Sequence, residues 1–295
     1  MTKLYPGNLV LSLSSGIMYH RLVDRITALN DVPREPLVPR RLGKNMCVPF
    51  GKILRGKVVP NTVTKTLHTD KVYEPDLNSF TIEPFPYYSP LKSQIETIKS
   101  FDRPVILVDD LVHTANRLQV LVPQLREDGI PIKKVVVGVL SGYGRDLMQC
   151  LKVPVESIYS MPNLRQWFVE STLYPFIGGD TVRREEMKVA GLQPSINMIL
   201  PYATPRLSGC SREALVEVSA CCIENSRDLF QVLEAEYRKM YAKNLTLSRL
   251  SEAVILPLCP DKGSCMEYDE NLAASVYLEN DLETLWRMKE FLIKG

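Results

Sequence analysis

The sequence lacks an apolar run long enough to span a membrane. Its first residues also lack the apolar stretch and small-residue cleavage site that mark a secretory signal peptide. It has no strong charge of either sign, because 36 Lys and Arg residues offset 34 Asp and Glu residues to a net charge of +2. We therefore expect a cytoplasmic protein with no general affinity for nucleic acid or for membrane surfaces.

Histidine is scarce, and the cysteines are not spaced as metal ligands. The chain has three His and seven Cys residues, with no CxxC pair, which argues against a His/Cys zinc site. An odd number of cysteines without a pairing pattern favours reduced thiols in a reducing compartment. The 295 residues, 45% of them hydrophobic, suffice for one large domain or two smaller ones.

The segment from Val105 to Leu118, VILVDDLVHTANRL, combines a strand pattern with two acidic residues. Its first four residues are apolar and mostly β-branched, which is typical of a strand buried on both faces. Asp109 and Asp110 follow, and their desolvation cost predicts that they mark the carboxyl end of this strand. A helix begins a few residues later, so the free N–H groups of its first turn are expected at the same edge. Carboxylates can hold a diol or a metal and N–H groups a phosphate, so the segment predicts a sugar-phosphate site.

This segment resembles the PRPP-binding motif of type I phosphoribosyltransferases, in which a hydrophobic strand ends in two acidic residues before a Thr/Gly-rich phosphate loop. The resemblance assigns Asp109 and Asp110 to the acidic pair that binds the ribose 2′- and 3′-hydroxyls and contacts Mg²⁺. It assigns the next residues to the loop around the 5′-phosphate: His113, Thr114, Ala115, Asn116 and Arg117. Ala115 and Asn116 replace the glycines of that loop, and alanine tolerates a positive φ poorly. Arg117 supplies a charged fork for phosphate.

The resemblance implies an α/β fold with a parallel, doubly wound sheet of phosphoribosyltransferase type in residues 1–180. A mainly helical C-terminal region, residues 181–295, would pack on it. The implied function is Mg²⁺-dependent transfer of a 5-phosphoribosyl group from PRPP to an acceptor that the sequence does not identify. The altered loop favours an alternative, a non-catalytic domain that binds a nucleotide or sugar phosphate for regulation. Either would have a small molecule as its partner, and the oligomeric state stays open, with a homodimer among the candidates.

Other interpretations of the acidic pair fit less well. Response-regulator receiver domains carry such a pair on their first strand, whereas a long stretch of chain precedes this one. A Walker B strand requires G-x-x-x-x-G-K-[ST] upstream, and the nearest match, which begins at Gly51, has Val58 in place of the hydroxyl residue. A third interpretation, in which the aspartates only cap a helix and face solvent, stays open.

A second strand–turn–helix pattern lies near the start of the chain. Asn8 to Leu13 reads as a strand, and a helical apolar spacing follows a turn of small residues. In the resembled family an early element of this kind binds pyrophosphate, and Ser14, Ser15 and Gly16 lie at the corresponding turn. An ordinary turn between a strand and a helix is the alternative.

Two further strands follow the acidic pair, at Val135 to Leu140 and at Val155 to Tyr159. A right-handed crossover would bring Ser141 to Asp146, read as a glycine-rich loop, to the same sheet edge as the acidic pair. There Tyr143 is a candidate for stacking on a base, with a plain surface turn as the alternative. In the resembled family an aromatic residue after the second of these strands stacks on the nucleobase, and Trp167 or Phe168 is a candidate for that role. Packing between the sheet and the C-terminal helices is the alternative.

The C-terminal region predicts helices. Ser211 is a good N-cap for a long helix that carries apolar residues at helical spacing, including Leu229 and Val232. Leu245 to Leu256 and Asp281 to Ile293 predict two more.

Overall fold

A computed structural model describes residues 4–37, 41–184, 191–205, 210–262 and 268–294, with backbone only for residues 291–294. The chain forms two compact units, each discontinuous in sequence. The unit that we call the sheet unit comprises residues 11–70 and 82–167, and the C-terminal unit comprises residues 1–10, 71–81 and 168–295. Among the described helices, none combines the length and the apolar character needed to cross a bilayer.

The helices and strands have the following bounds in chain order: α1 (Ser15–Leu29), β1 (Met46–Pro49), β2 (Thr69–Tyr73), β3 (Phe80–Pro84), α2 (Leu91–Lys99), β4 (Val105–Val112), α3 (Asn116–Glu127), β5 (Ile132–Ser141), α4 (Gly142–Cys150), β6 (Val155–Met161), β7 (Asp180–Val182), β8 (Gln193–Ile196), α5 (Arg212–Tyr241), α6 (Leu250–Ala253), β9 (Leu258–Pro260) and α7 (Ala274–Lys294).

In the sheet unit, four parallel strands form a sheet in the order β1-β4-β5-β6. The first four residues of β4 are buried on both sides of it. Val105 and Leu107 pack against α2, α3 and α4, while Ile106 and Val108 pack against α1. Burying each such side chain contributes about 1.5–3 kcal/mol, which explains the uninterrupted apolar run. The predicted parallel α/β sheet with helices on both faces is confirmed.

The helix after the acidic pair forms as its apolar spacing predicts. α3 buries Leu118, Leu121, Val122 and Leu125 on one face, and the chain leaves it through Gly129 at φ +72°. A positive φ suits glycine because it lacks a Cβ. A local signal therefore marks the end of this helix, whereas its N-cap Ala115 makes no side-chain capping bond.

Three local predictions are wrong. Residues Asn8 to Leu13, all of which the structure describes, form no strand. β4 does not end at the aspartates but continues to Val112. Ser141 to Asp146 is not a loop, because α4 begins at Gly142 and Ser141 Oγ caps it by accepting from the Gly144 N–H at 2.9 Å. Gly144 serves close packing, since a Cβ there would lie 2.2 Å from the carbonyl oxygen of Val112.

The C-terminal unit has its own core around α5 and α7. Ser211 caps α5 as predicted, by accepting from the Ala214 N–H at 3.1 Å. Leu229 and Val232, predicted to point inward, are instead 45% and 60% exposed. The predicted helix from Leu245 to Leu256 is reduced to the short α6, whereas the last predicted helix lies within α7.

A second sheet, in the order β3-β2-β7-β8-β9, accompanies the C-terminal helices. It mixes parallel and antiparallel pairs of three- to five-residue strands. Strands so short carry little periodic signal, so this sheet was not predictable from the sequence pattern. The long predicted helices α5 and α7 are confirmed, but helices are not the whole of this region.

Candidate functional site

The side chains of Asp109 and Asp110 converge, although neighbours in a strand normally point to opposite faces. A Cβ built on Gly51 would lie 2.6 Å from Oδ1 of each carboxylate. The alternation of β4 shifts at this point: Leu111 packs on the α1 side of the sheet, and Val112 packs on the other. This change of face lets two consecutive carboxylates meet at one place on the sheet edge.

Asp109 lies in an apolar surrounding with one neighbouring cation. Its side chain is 11% exposed, and Oδ1 accepts from the Asp110 N–H at 2.8 Å and lies 3.9 Å from Arg117 Nη1. Burial raises the pKa of Asp109 to about 7, with Arg117 acting in the opposite direction and the charge of Asp110 adding to the rise. A carboxyl group that exchanges its proton near neutral pH is a frequent property of binding and catalytic sites.

The raised pKa predicts a pH-dependent contribution of Asp109 to stability. In the unfolded chain an Asp ionises near pH 4, at about 3.9, whereas the folded state keeps the proton up to a pKa of about 7. The folded state therefore binds more protons across that window, so raising the pH destabilises it. We subtract the free energy of unfolding of Asp109→Asn from that of the wild type. This difference should fall as the pH rises from about 4 to about 7 and should level off at higher pH.

Urea unfolding of both proteins at a series of pH values measures this difference, because groups common to both cancel. A difference that stays constant, or that rises with pH, would contradict the raised pKa.

Asp110 is held by a loop that follows β1. Its Oδ2 accepts from the Lys52 N–H at 2.7 Å, and its Oδ1 accepts from the Ile53 N–H at 2.9 Å. Charge-assisted bonds of this kind are stronger than neutral ones. We call Gly51 to Ile53 the β1 loop, and it lies directly against the acidic pair.

The segment from Thr114 to Arg117 forms the start of α3. Ala115 is its N-cap residue and has φ +52° and ψ 21°, the left-handed conformation that the replaced glycines would favour. This conformation costs a non-glycine residue about 1–2 kcal/mol. Thr114 Oγ1 accepts from Asn116 Nδ2 at 2.8 Å. Since Ala115 carries no side-chain oxygen, it cannot cap the first-turn N–H groups, and these are suited to an anion.

Two arginines add positive charge beside the acidic pair. Arg117 projects from the first turn of α3, with its side chain 22% exposed. Arg55 follows the β1 loop, lies over the ring of Phe85 at 4.6 Å and donates to the carbonyl oxygen of Thr69. Burial lowers the pKa of Arg55, Asp70 opposes this, and the charge of Arg117 lowers it further. The two guanidinium groups bring positive charge close to the acidic pair, which suits an anionic ligand.

Sequence reasoning missed the β1 loop and Arg55. The glycines and lysines from Gly51 to Val58 are a usable signal of a phosphate-binding loop, although this segment does not match the G-x-x-x-x-G-K-[ST] pattern. Lys52 and Ile53 bind Asp110 through backbone N–H groups, which no side-chain motif reveals.

An aromatic group lies just beyond the carboxyl end of the neighbouring strand β5. The ring of His113 lies 5.6 Å from that of Tyr143 and 4.8 Å from that of Trp167. His113 Nδ1 lies 2.8 Å from Oγ of Ser141, which is 1% exposed. Tyr143 and Trp167 remain 57% and 43% exposed, so both offer ring surface to a planar ligand.

The turn at Ser14, Ser15 and Gly16 is exposed and begins α1. Ser14 Oγ accepts from the Ile17 N–H at 3.4 Å, which makes Ser14 the N-cap of α1. The strand on which the pyrophosphate prediction relied is absent from this described segment. A role for these three residues in pyrophosphate binding stays a prediction.

The chain offers limited means to hold Mg²⁺ at this edge. Within the described residues, no three His, Cys, Asp or Glu side chains are grouped as metal ligands. Mg²⁺ commonly needs only one or two protein carboxylates when phosphate oxygens and water complete its shell. Oδ2 of Asp109 accepts no hydrogen bond from the described residues, whereas both oxygens of Asp110 are bonded to the β1 loop. Asp109 therefore fits a Mg²⁺ ion that arrives with a phosphorylated substrate.

No family model and no curated protein matches this sequence. Similar solved structures include the purine phosphoribosyltransferase of Pyrococcus horikoshii, which covers 52% of this chain and 91% of its own at 11% identity and a TM-score of 0.29. The match to the hypoxanthine phosphoribosyltransferase of Trypanosoma cruzi covers 54% of this chain and 80% of the other, at 16% identity and a TM-score of 0.31. The match to the adenine phosphoribosyltransferase of Thermoanaerobacter pseudethanolicus covers 48% of this chain and 80% of the other, at 10% identity and a TM-score of 0.28.

Proposed function

We propose that the sheet unit binds PRPP with Mg²⁺ and transfers its 5-phosphoribosyl group to an acceptor. The observation that carries the proposal is the meeting of two elements near the carboxyl end of β4. The carboxylates of Asp109 and Asp110 converge in the second half of this strand, and three residues separate its end from α3, which starts with N–H groups that its N-cap Ala115 cannot bond. A diol and a phosphate on one small molecule match these two elements.

This transfer requires the protein to position PRPP and the acceptor, and it requires no nucleophilic side chain. The bond between ribose C1 and the diphosphate oxygen breaks with its electron pair leaving on diphosphate, and a lone pair of the acceptor forms the new bond to C1. In this scheme Asp109 accepts hydrogen bonds from ribose hydroxyls, and the amides of α3 with Arg117 hold the 5′-phosphate. Bound Mg²⁺ would neutralise charge on the departing diphosphate.

The acceptor side of the site is proposed to be the aromatic group. A planar base could stack on Tyr143 or Trp167, whose rings flank His113. The His113 ring, held through its Nδ1 by Ser141, would lie at the edge of such a base. The identity of the base is not part of the proposal.

A non-catalytic domain of the same fold, which binds a nucleotide or sugar phosphate for regulation, is the second candidate. Two observations favour it. Ala115 places a methyl group at the phosphate loop where the resembled family has glycine. Asp110 has both oxygens bonded to the β1 loop, so it would have to exchange partners to bind a diol.

Calorimetry with PRPP and Mg²⁺, followed by an assay of pyrophosphate release across purine and pyrimidine bases, tests the proposal. The transferase predicts saturable PRPP binding and release of pyrophosphate with at least one base. Binding without release from any base would favour the regulatory domain. The absence of PRPP binding would contradict the transferase, and the absence of binding to nucleotides and sugar phosphates as well would contradict the regulatory domain.

A further inference from the structure

Residues Asn8 to Leu13, which we call the leucine segment, lie on the surface. The segment follows a turn in which the Asn8 N–H donates to the carbonyl oxygen of Tyr5 at 3.2 Å. Each of its six residues is exposed, Leu9 at 84% and Leu11 at 56%. Single exposed apolar residues are common, but a contiguous run of them is typical of an interaction surface.

The backbone of the leucine segment is unpaired as well. From Leu9 to Leu13, no N–H or carbonyl group is bonded to another backbone group among the described residues. An apolar segment with free backbone groups is a template for another strand, and proteins usually block such edges with charge or proline. No residue from Gly7 to Tyr19 is charged or is a proline. The leucine segment therefore favours pairing with a strand from another chain.

The spacing of the leucines matches a second copy of the same segment. Leu9, Leu11 and Leu13 occupy alternate positions, so they share one face when the segment is extended. In an antiparallel pair with a two-fold axis at Leu11, each Leu9 faces the other copy's Leu13, and Leu11 faces Leu11. A shift of the register by one residue would point the leucines of the two copies to opposite faces. Because the segment carries no charge, two copies meet without repulsion, and two-fold pairing closes the assembly at a dimer.

We propose that the leucine segment pairs antiparallel with the same segment of a second copy of this chain, with Leu11 on the two-fold axis. The sequence predicts a strand here, and a second copy supplies the partner that the described residues of one chain do not. Six residues from each copy would bury roughly 1,000 Å² in total, near the lower limit for a specific interface. A two-stranded ribbon alone is marginal in water, so the dimer should be weak and should depend on protein concentration. The inference does not depend on the proposed function.

Sedimentation velocity at protein concentrations from about 1 to about 100 μM tests the pairing. We expect the wild type to shift from monomer to dimer across this range. Leu11→Lys places two positive charges directly opposite each other, and Leu11→Glu places two negative charges there. Each variant alone should lose at least about tenfold in dimer affinity. An equimolar mixture of the two should recover dimers, because a lysine then faces a glutamate.

Leu37→Lys is the matched control. Leu37 is another exposed leucine outside helices and strands, and it does not belong to the leucine segment, so this variant should keep the dimer affinity of the wild type. Because Leu11 is exposed, its variants should fold, and circular dichroism checks this. In the wild type, amide hydrogen exchange from Leu9 to Leu13 should slow as the protein concentration rises.

Three results would overturn the inference. The first is a wild type that stays monomeric up to about 100 μM. The second is a Leu11→Lys variant that dimerises as tightly as the wild type, because its dimer would then use another surface. The third is a mixture of Leu11→Lys and Leu11→Glu that dimerises no better than either variant alone, because Leu11 would then not face Leu11.

Discussion

Replacing both acidic residues by asparagine, Asp109→Asn with Asp110→Asn, is expected to lower PRPP affinity by at least about 100-fold. A hydrogen bond to a charged group contributes about 1.5–3 kcal/mol, and the double variant weakens such bonds to both the ribose and the β1 loop. About 1.4 kcal/mol corresponds to tenfold in affinity, so a loss of about 3 kcal/mol gives the expected change. Calorimetry with PRPP and Mg²⁺ measures it.

The fold of this double variant should persist. Asparagine at 109 is neutral, which removes the burial penalty that raises the pKa of Asp109. Asparagine at 110 leaves one β1-loop N–H without an acceptor, at a cost of about 1–3 kcal/mol, below the 5–15 kcal/mol typical of domain stability. Circular dichroism and the thermal midpoint check this directly.

The matched control is Asp31→Asn with Asp102→Asn. Both residues are exposed and have positive φ, at 52° and 50°, which asparagine tolerates well. The control replaces the same number of carboxyl groups without touching the sheet edge, so it should retain PRPP affinity. Unchanged affinity in the Asp109/Asp110 variant, or an equal loss in the control, would contradict the assignment.

Gly51→Ala is expected to have the second largest effect. The added Cβ would lie 2.6 Å from Oδ1 of both aspartates and 2.8 Å from the Asp110 backbone nitrogen. Contacts this short force the β1 loop away from the sheet edge, since a backbone atom cannot rotate aside as a side chain can. We expect a loss of about 1–3 kcal/mol of stability and a fall of at least about tenfold in PRPP affinity.

Gly129→Ala separates the effect on the site from the effect on stability. Gly129 has φ +72° and no atom within 4 Å of an added Cβ, so alanine there introduces backbone strain without a clash. We expect a stability loss of about 1 kcal/mol and unchanged PRPP affinity. Chemical unfolding and calorimetry on the same samples compare the two variants. Equal affinities for Gly51→Ala and wild type would rule out close packing of the loop on the carboxylates.

Local patterns predicted the elements that carry the site. The apolar run of β4 and the spacing of α3 are properties of short segments, and the same holds for β5 and β6. The N-cap at Ser211 was predicted for the same reason, because capping depends on a few consecutive residues. Where a short segment determines its own structure, the sequence was sufficient to predict the helix, strand or cap.

Contacts between distant segments were not predictable. The bonds from the β1 loop to Asp110 join residues 57 and 58 positions apart, and no pattern in either segment indicates the other. Asn8 to Leu13 is rich in apolar residues, like a strand, but has no partner strand in the described part of the chain. The glycines from Gly142 to Gly144 suggested a loop, whereas they allow α4 to pack closely on neighbouring backbone.

The most direct test of the central claim is a crystal structure of the protein with ribose 5-phosphate and Mg²⁺. The account predicts the phosphate on the N–H groups that begin α3, beside Arg117, and the ribose hydroxyls within hydrogen-bond distance of Asp109. Sugar phosphate bound elsewhere, or a β1 loop that still covers both carboxylates while the ligand lies outside, would contradict it.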